Sequence, residues 1–518
     1  MAGRAQPVTP APGVGAAVLV AALILGTLVA VALRAEGGRG LGPADWAAVR
    51  FTLLQAALSA LFSVALAVPV ARALARRRFA GRRVLIVLLG APFILPVIVA
   101  VLGLLAVFGR SGWISDALGL VGVPPVQIYG LHGVVLAHVF FNLPLATRLI
   151  LQGWQEIPAE RFRLAAQLGA GPRAIRRLLE YPMLAQTVPG VMAVVFAICL
   201  TSFAVALTLG GGPRATTIEL AIYQAFRFDF DLGRAALLGC IQIALTGAAA
   251  LAALSVARGD GLGDGLDRPL QRWDALSRIA LGLDTLVIAL AVLFLLLPLA
   301  AIIVAGVPGL PLLPVSVLVA AGNSVVVAGL STLLLLLLAV PMALAVAVGW
   351  SQGVELAGLL GLAVSPLVIG TGLFVIIRPL ADPTALALPV TALVNALMAL
   401  PFALRILVPS ARQVVDRHGP LAVSLDMAGM PFLRRIAVPR MRAQIGFAAG
   451  LTAALSMGDL GVIALFADAE RATLPLQVYR LMGAYRMEAA AGAALLLLIL
   501  SVALFWILDR GGRWHAET

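Results

Sequence analysis

One carboxylate lies within an apolar stretch of the sequence, where it could attract a cation. Asp459 occurs in LSMGDLGVIALF, and an ionised carboxylate is costly to place in hydrocarbon, so it should face water or the interior of a helix bundle. A helix that breaks at Gly458 would instead leave Asp459 to cap a second short helix, because Asp is a favoured N-cap residue. Asp459 is therefore a candidate either for the path of a cationic solute or for a helix cap.

Other polar side chains in the apolar segments are weaker candidates. His132 and His138 have no cysteine or carboxylate cluster beside them in the sequence, so we predict core histidines and no metal site. Because no constellation of His, Cys and carboxylate suits catalysis, we predict neither an enzyme nor a cofactor. Several polar residues could line a path or form hydrogen bonds between helices, namely Asn142, Ser202, Thr208 and Asn395. With Asp459, the candidates for the path are Ser202, Tyr223 and Tyr479.

The composition excludes a soluble protein. The 518 residues are 62% hydrophobic and 12% charged, whereas soluble domains are about 45–50% apolar and about 25% charged. All 37 basic residues are Arg, so the chain has no P-loop, which needs a Lys, and any ATP that powers it must be hydrolysed by another subunit. These Arg residues lie in short loops and form no basic domain, so we predict no nucleic-acid partner.

A second feature is a segment that occurs twice. LAAQLGAGPRAIRRLLEYP, from Leu164 to Pro182, aligns without gaps on LAVSLDMAGMPFLRRIAVP, from Leu421 to Pro439, at an offset of 257 residues. We name the surrounding regions the first repeat loop (154–183) and the second repeat loop (411–440). The first is predicted to hold a short amphipathic surface helix that ends where Gly169 adopts the left-handed conformation. Asp426 stands at the equivalent position of the second loop, and Asp tolerates that conformation better than most residues.

The spacing in these loops resembles the EAA loop of ABC-importer permeases, in which a Pro follows the Gly by thirteen residues, as Pro182 follows Gly169 here. The chain departs from that pattern at Arg163, Leu164 and Asp426, which replace an acid, an Ala and the Gly. The resemblance implies that both loops dock on ATPase subunits. The residues it assigns to this coupling are Leu164, Ala165, Ala166, Leu168, Gly169 and Arg177, and Leu421, Ala422, Leu425, Asp426 and Arg434.

Outside the loops, the segment from Leu209 to Leu238 and the segment that begins at Gly458 resemble bacterial thiamine-transport permeases. This resemblance covers nearly the whole chain. It implies uptake of thiamine, with its phosphate esters as further candidates, from a periplasmic binding protein and with two ABC ATPase subunits as partners. A fused permease for ferric iron or another small solute is the alternative within this class. A secondary transporter would also contain repeated bundles, but the paired loops favour the importer.

The pattern of apolar segments sets the topology. Six segments precede and six follow a polar linker at 258–277, and the first, Val14–Leu33, is longer than a signal peptide requires. Loops rich in Arg alternate with loops that contain acids such as Glu219 and Asp229. The Arg-rich side and both termini are therefore predicted to be cytoplasmic. The predicted spans are 14–33, 51–74, 84–108, 129–151, 185–209, 234–257, 278–306, 323–349, 354–378, 386–410, 443–467 and 489–508.

Together these features predict an all-α polytopic membrane protein of the bacterial inner membrane, in contact with membrane lipid. About 12 transmembrane helices form two tandem parallel repeats, similar to type I ABC importer permeases. The first half covers 1–257 and the second covers 278–518, with a cytoplasmic linker at 258–277. A path between the two halves is the expected consequence.

Overall fold

The structure is a computed structural model that describes residues 7–35, 40–89, 94–210, 212, 215–256, 277–468 and 470–513. The linker predicted at 258–277 lies outside these residues except for its last position. Helices account for the regular structure of the described part, as predicted. Before the linker they are α1 (Ala11–Ala35), α2 (Pro43–Arg76), α3 (Arg82–Leu88), α4 (Val97–Phe108), α5 (Trp113–Gly119), α6 (Leu131–Gln155), α7 (Ala159–Gln167), α8 (Pro172–Ile175), α9 (Tyr181–Leu200), α10 (Ala204–Leu209), α11 (Ile218–Arg227) and α12 (Leu232–Val256).

The helices after the linker follow a closely similar order. They are α13 (Arg278–Gly309), α14 (Val315–Ala347), α15 (Ser351–Ala363), α16 (Pro366–Ile377), α17 (Ala387–Ser424), α18 (Met430–Phe432), α19 (Val438–Met457), α20 (Gly461–Phe466), α21 (Leu474–Gly483) and α22 (Met487–Arg513).

Eleven helical segments of the described chain are long and apolar enough to cross a membrane, and the total is 12 if one bent pair counts as a span. An α-helix satisfies its own backbone hydrogen bonds, which is what a lipid environment demands. The prediction of an all-α polytopic membrane protein with about 12 spans is therefore confirmed.

Several predicted spans differ from the helices that form. Those at 185–209 and 443–467 each contain a break, and the one at 386–410 continues to Ser424. Residues 84–108 are not one helix: α3 ends at Leu88, and the candidate span is Val97–Gly119. The span predicted at 354–378 consists of α15 and α16, which meet at an angle of 97°. The bend lies at Ser365, which is extended (φ −74°, ψ 142°), because Pro366 disfavours the helical conformation in the residue before it.

The two halves repeat at the level of the backbone. A π-helical turn at Arg176–Glu180 precedes α9, and another at Leu433–Ala437 precedes α19, at the same offset of 257 residues. Each of these two helices then breaks, so that the short α10 and α20 follow. The first residues of α11 and α21 also form equivalent hydrogen bonds, one in each half. The Ile218 amide donates to Thr52 Oγ1 (2.9 Å), and the Leu474 amide donates to Ser324 Oγ (2.7 Å).

The first helix of each half packs against the other half. α1 lies on α16, and a Cβ added at Gly372 would stand 2.5 Å from the carbonyl oxygen of Thr27. In the same manner α13 lies on α4, where a Cβ at Gly103 would stand 2.5 Å from the carbonyl oxygen of Pro298. Only glycine permits such close helix contact at these two points. The two halves are thus interlocked in a single bundle.

Ion pairs collect at the two ends of α2. This helix has 34 residues and is about 50 Å long at 1.5 Å per residue. Near its last turn Arg72 pairs with Glu180 (2.8 Å), and just beyond it Arg77 pairs with Asp284 (2.7 Å). The Arg-rich loop after α2 and the first repeat loop therefore lie at the same end of the bundle. Near its first turn Asp45 pairs with Arg234 (2.8 Å), which also pairs with Asp229 (2.7 Å).

Candidate functional site

Two broken helices bring polar residues to the boundary between the halves. α9 ends at Leu200 and α10 begins at Ala204, so Ser202 lies in the break. α19 ends at Met457 and α20 begins at Gly461, so Asp459 lies in the second break, 257 residues after Ser202. Breaks of this kind are tolerated at membrane depth where the backbone lines a cavity.

A cavity of about 420 Å³ lies between these breaks. Both halves contribute to its wall, which is mostly apolar, with aromatic rings and a few polar groups. This composition is typical of small-molecule sites. The lining residues include Phe141, Asn142, Phe203, Ala204 and Glu219 from the first half, and Asn395, Phe402, Ser456 and Asp459 from the second, together with His138 and Ser202.

His138, on α6, belongs to a hydrogen-bonded chain that joins α2 to the break between α9 and α10. Its Nδ1 lies 3.1 Å from Ser59 Oγ, and its Nε2 lies 2.7 Å from Ser202 Oγ. Its imidazole is buried and within reach of both hydroxyls, and the described residues contain no cluster that could hold a metal ion. His132 donates from its Nε2 to the carbonyl oxygen of Gln127 at the surface. His138 is therefore a hydrogen-bonded core histidine, whereas the prediction of a core histidine is wrong for His132, which lies in the first turn of α6 and is exposed.

The second half contains a related chain at the equivalent place. Asn395 Nδ2 donates to Ser456 Oγ (3.0 Å), which lies 2.9 Å from Ser331 Oγ. In the first half Asn142 Nδ2 donates to the carbonyl of His138 (2.9 Å). Both asparagines form hydrogen bonds within or between helices and also line the cavity. Their place on a transport path stays a prediction. Thr208 bonds to Ala204 of its own helix (2.7 Å) and is absent from the cavity wall.

Asp459 accepts an amide hydrogen at the start of α20 and also lines the cavity, whereas its place on a solute path stays a prediction. The Gly461 amide donates to Asp459 Oδ1 (3.2 Å), so this oxygen caps α20. Oδ2 is buried and meets no hydrogen-bond partner among the described residues. The residue also lines the cavity, and one carboxylate oxygen is therefore available to a solute.

Glu219 is a cavity residue that the sequence does not reveal, because it follows a loop and looks like an ordinary solvated acid. Its side chain is 0% exposed, and neither carboxylate oxygen has a hydrogen-bond partner of good geometry in the described chain. Burial raises its pKa to about 8, against a smaller opposing effect of the Ser365 hydroxyl. Thr217, a good N-cap residue two positions earlier, was the available sign that Glu219 begins a helix.

Tyr223 and Tyr479 do not reach the cavity wall of the described structure. The Tyr223 ring packs edge-on behind Phe203, with ring centroids 5.3 Å apart, and Phe203 itself faces the cavity. Tyr479 is half-buried on α21. The structure thus brings Ser202 and Asp459 together at one cavity and leaves both tyrosines behind it.

The first repeat loop contains the predicted short helix, α7. Pro158 precedes it, Phe162 anchors it in the core, and Leu164 and Leu168 are 57% and 76% exposed. Gly169 has φ 65°, as expected for the left-handed position. Ala165 is half-buried, and the other residues assigned to coupling in this loop are exposed, namely Ala166 and Arg177.

The second repeat loop is built differently. Its helix is not separate, because α17 continues without a break to Ser424. Leu421 and Leu425 are each 61% exposed, and Asp426 has φ 52°, so the aspartate does adopt the left-handed conformation. The Gly429 amide donates to the carbonyl of Pro7 (2.8 Å) near the chain's start. Of the remaining residues assigned to this loop, Ala422 is buried and Arg434 is exposed.

Comparison with known proteins gives close relatives over the full length of the chain, although no family model matches it. It is 40% identical over 529 residues to the thiamine transport system permease protein ThiP of Brucella abortus, covering 99% of this chain and 97% of the relative. It is 39% identical over 536 residues to ThiP of Escherichia coli K12, covering 98% of each. A probable sulfate transport system permease of Helicosporidium is 26% identical over 204 residues, which is 39% of this chain and 75% of that protein.

Proposed function

This chain belongs to the family of thiamine transport permeases, and from that premise we propose that it forms the path by which thiamine crosses the bacterial inner membrane. The cavity between the two halves is the observation that carries the proposal. It stands where two broken helices meet, and it offers aromatic rings, amides and carboxylates to an organic cation. Thiamine has a positively charged thiazolium ring and a polar aminopyrimidine ring. The phosphate esters of thiamine are further candidate substrates.

The energy for uptake comes from partner subunits. The chain has no Lys and hence no P-loop, so two copies of an ABC ATPase are expected to dock on the two repeat loops. Exposed leucines on α7 and on the last turns of α17 provide apolar contacts, and Arg177 and Arg434 provide charge. A periplasmic binding protein delivers the solute to the opposite face.

Transport follows from relative motion of the halves, proposed as 1–257 and 278–518 joined by the linker 258–277. In one state the cavity is open to the binding protein, and in the other to the cytoplasm. The interlocked first helices, α1 and α13, hold the halves together while the cavity changes its exposure. The chain itself performs no covalent chemistry in this scheme.

The uptake test uses a bacterial strain that neither synthesises nor imports thiamine. The chain is expressed with the ATPase and binding protein encoded in its own genome, and uptake of radiolabelled thiamine is measured. ATP-dependent accumulation that requires all three components supports the proposal. Accumulation of ferric iron or another solute without thiamine would replace it with the alternative substrate.

The orientation is tested separately by thiol labelling in intact cells. Cysteine is introduced at Phe79, in the Arg-rich loop after α2, or at Leu120, which is 90% exposed after α5. With the Arg-rich side in the cytoplasm, a membrane-impermeant maleimide should label the Leu120 variant and spare the Phe79 variant. The reverse pattern would overturn the orientation and the cytoplasmic location of both termini.

A further inference from the structure

Glu219 differs from the other buried acids in its charge environment. Four acidic side chains are buried in the described structure, and three of them face an arginine: Asp45 pairs with Arg234, Glu180 with Arg72 and Asp284 with Arg77. Glu219 forms no ion pair within the described chain. A buried acid without a counter-charge is unfavourable when ionised, so the missing cation is a specific feature of this position.

The position of Glu219 is fixed by its backbone and not by its carboxylate. The Thr217 hydroxyl accepts a hydrogen bond from the Leu220 amide (3.3 Å), and the Thr52 hydroxyl accepts one from the Ile218 amide (2.9 Å). The Ser365 hydroxyl caps α16 by accepting a hydrogen bond from the Leu367 amide (3.1 Å), and its own O–H can still donate to the Glu219 carboxylate. Glu219 therefore lines the cavity at the start of α11 with a hydroxyl nearby but no cationic partner in the described chain.

The second half shows that the fold does not require an acid here. α21 corresponds to α11, with Thr473 at the position of Thr217 and Tyr479 at that of Tyr223, an offset of 256 residues. The residue equivalent to Glu219 is Pro475, which suits the first turn of a helix. A helix thus begins at the same place in both halves, and only the first half places a carboxylate there.

We propose that Glu219 is the counter-ion that binds the thiazolium cation of the solute in the central cavity. The inference rests on the proposed function and assigns a specific residue to it. The Phe203 ring lies on the same wall and is available for a cation–π contact. Asp459 contributes less, because one of its oxygens is occupied by the Gly461 amide. Glu219 thereby selects organic cations over neutral solutes of similar shape.

The first experiment measures uptake in the assembled transporter. Glu219→Gln keeps the shape and removes the charge, whereas Glu219→Asp keeps the charge, and Glu470→Gln removes an exposed acid as a matched control. Assembly with the ATPase is checked by size-exclusion chromatography. We expect E219Q to lose at least about tenfold in thiamine uptake, and E219D and E470Q to retain most of it. Uptake by E219Q at the wild-type rate would overturn the proposal.

The second experiment reports the charge directly and does not depend on uptake. Cys199 and Cys240 are replaced, and a single cysteine is introduced at Ala204, in the cavity wall, or at Leu120, at the surface. The rate of modification by a cationic methanethiosulfonate is divided by that of a neutral one, at a pH above the Glu219 pKa of about 8 so that the carboxyl group is ionised. This ratio should be about tenfold higher at Ala204 than at Leu120 and should fall with E219Q.

Equal ratios at the two sites would overturn the proposal even if E219Q failed to assemble. A loss of uptake in E219Q with an unchanged ratio would also overturn it, because the residue would then act through structure. If the wild-type transporter did not import thiamine, the proposed function would fall, while the labelling ratio would still measure the charge of Glu219.

Discussion

The first and second repeat loops leave their preceding helices in different ways. In the first, α6 ends at Gln155, and α7 begins after Pro158, so the surface helix is hinged to the bundle. In the second, α17 runs without interruption through 38 residues to Ser424, so the surface turns move with the transmembrane helix. The spacing from the left-handed residue to the following proline is nevertheless the same in both loops.

The cause of this difference is local. Pro158 disfavours the helical conformation at Ile157 and so ends α6. The residue 257 positions later is Val415, which continues a helix, and Val414 and Val415 are buried or nearly buried along α17. A hydrogen bond from the Gly429 amide to the Pro7 carbonyl also restricts the position of the second repeat loop. A rigid loop transmits displacement directly, whereas a hinged loop can adjust its angle to a partner.

The same contrast recurs inside the bundle. Ser202 and Asp459 occupy equivalent breaks, but the first is neutral and bonds to His138 (2.7 Å), whereas the second is acidic and caps α20. In the first half the acid at the cavity is Glu219, which lies on α11 and not in the break. The halves therefore share a scaffold and divide the polar groups unequally between them.

The largest effect is expected from Gly169→Arg in the first repeat loop. A bulky charge would occupy the proposed docking surface, and the left-handed backbone (φ 65°) would disfavour it by about 1–2 kcal/mol. We expect normal membrane insertion with loss of ATPase association in pull-down. Gly169→Asn is the control, because Asn tolerates this conformation without the charge. ATP-driven uptake at the normal rate in the Arg variant would remove this loop from the coupling surface.

An intermediate effect is expected from Pro158→Ala, which makes the first loop resemble the second. Without Pro158, α6 and α7 should join into one helix, and uptake should fall several-fold because the hinge is lost. Distances between spin labels on α6 and α7 would measure the straightening. Pro420→Ala, within α17, is the matched control and should change neither quantity. A straightened helix with full uptake would show that the hinge is unimportant for coupling.

Asp459→Asn tests the unequal breaks and should have a smaller effect on uptake than E219Q. Asparagine keeps the cap of α20 but removes the charge. A two- to five-fold rise in the KM for thiamine is the expected order of magnitude, equivalent to about 0.4–1 kcal/mol. Protein level and assembly should stay unchanged. An unaltered KM would leave Asp459 as a cap alone.

The smallest effect is expected from Asp426→Gly. The aspartate has φ 52°, and glycine would adopt this conformation without strain. Glycine also gives the unfolded chain more conformational freedom, which opposes that gain. The free energy of unfolding of the purified protein should therefore rise only slightly, by less than about 1 kcal/mol. A clear loss of stability would indicate that the Asp426 side chain makes a stabilising contact.

Sequence reasoning succeeded where one or two residues determine the local backbone. α7 begins after Pro158 and ends before Gly169, and the long apolar segments form helices, as expected. In the second loop Val415 stands in place of Pro158, so no proline stops α17 at that point. The 97° bend does have a local signal, because Ser365 followed by Pro366 is typical of a helix start, but the predicted span 354–378 runs through it. Glu219 could not be identified because its environment depends on the packing of α11 against both halves. Contacts distant in sequence leave no local pattern.

The central claim is that thiamine crosses the cavity between the two halves, and ligand protection tests it most directly. The single cysteine at Ala204 is labelled with a neutral thiol reagent in proteoliposomes that contain the ATPase and binding protein. If thiamine crosses this cavity, it should slow the labelling at Ala204 in a saturable manner and leave labelling at Leu120 unchanged. Thiamine uptake at the normal rate with no protection at Ala204 would contradict it, because the solute would then cross elsewhere.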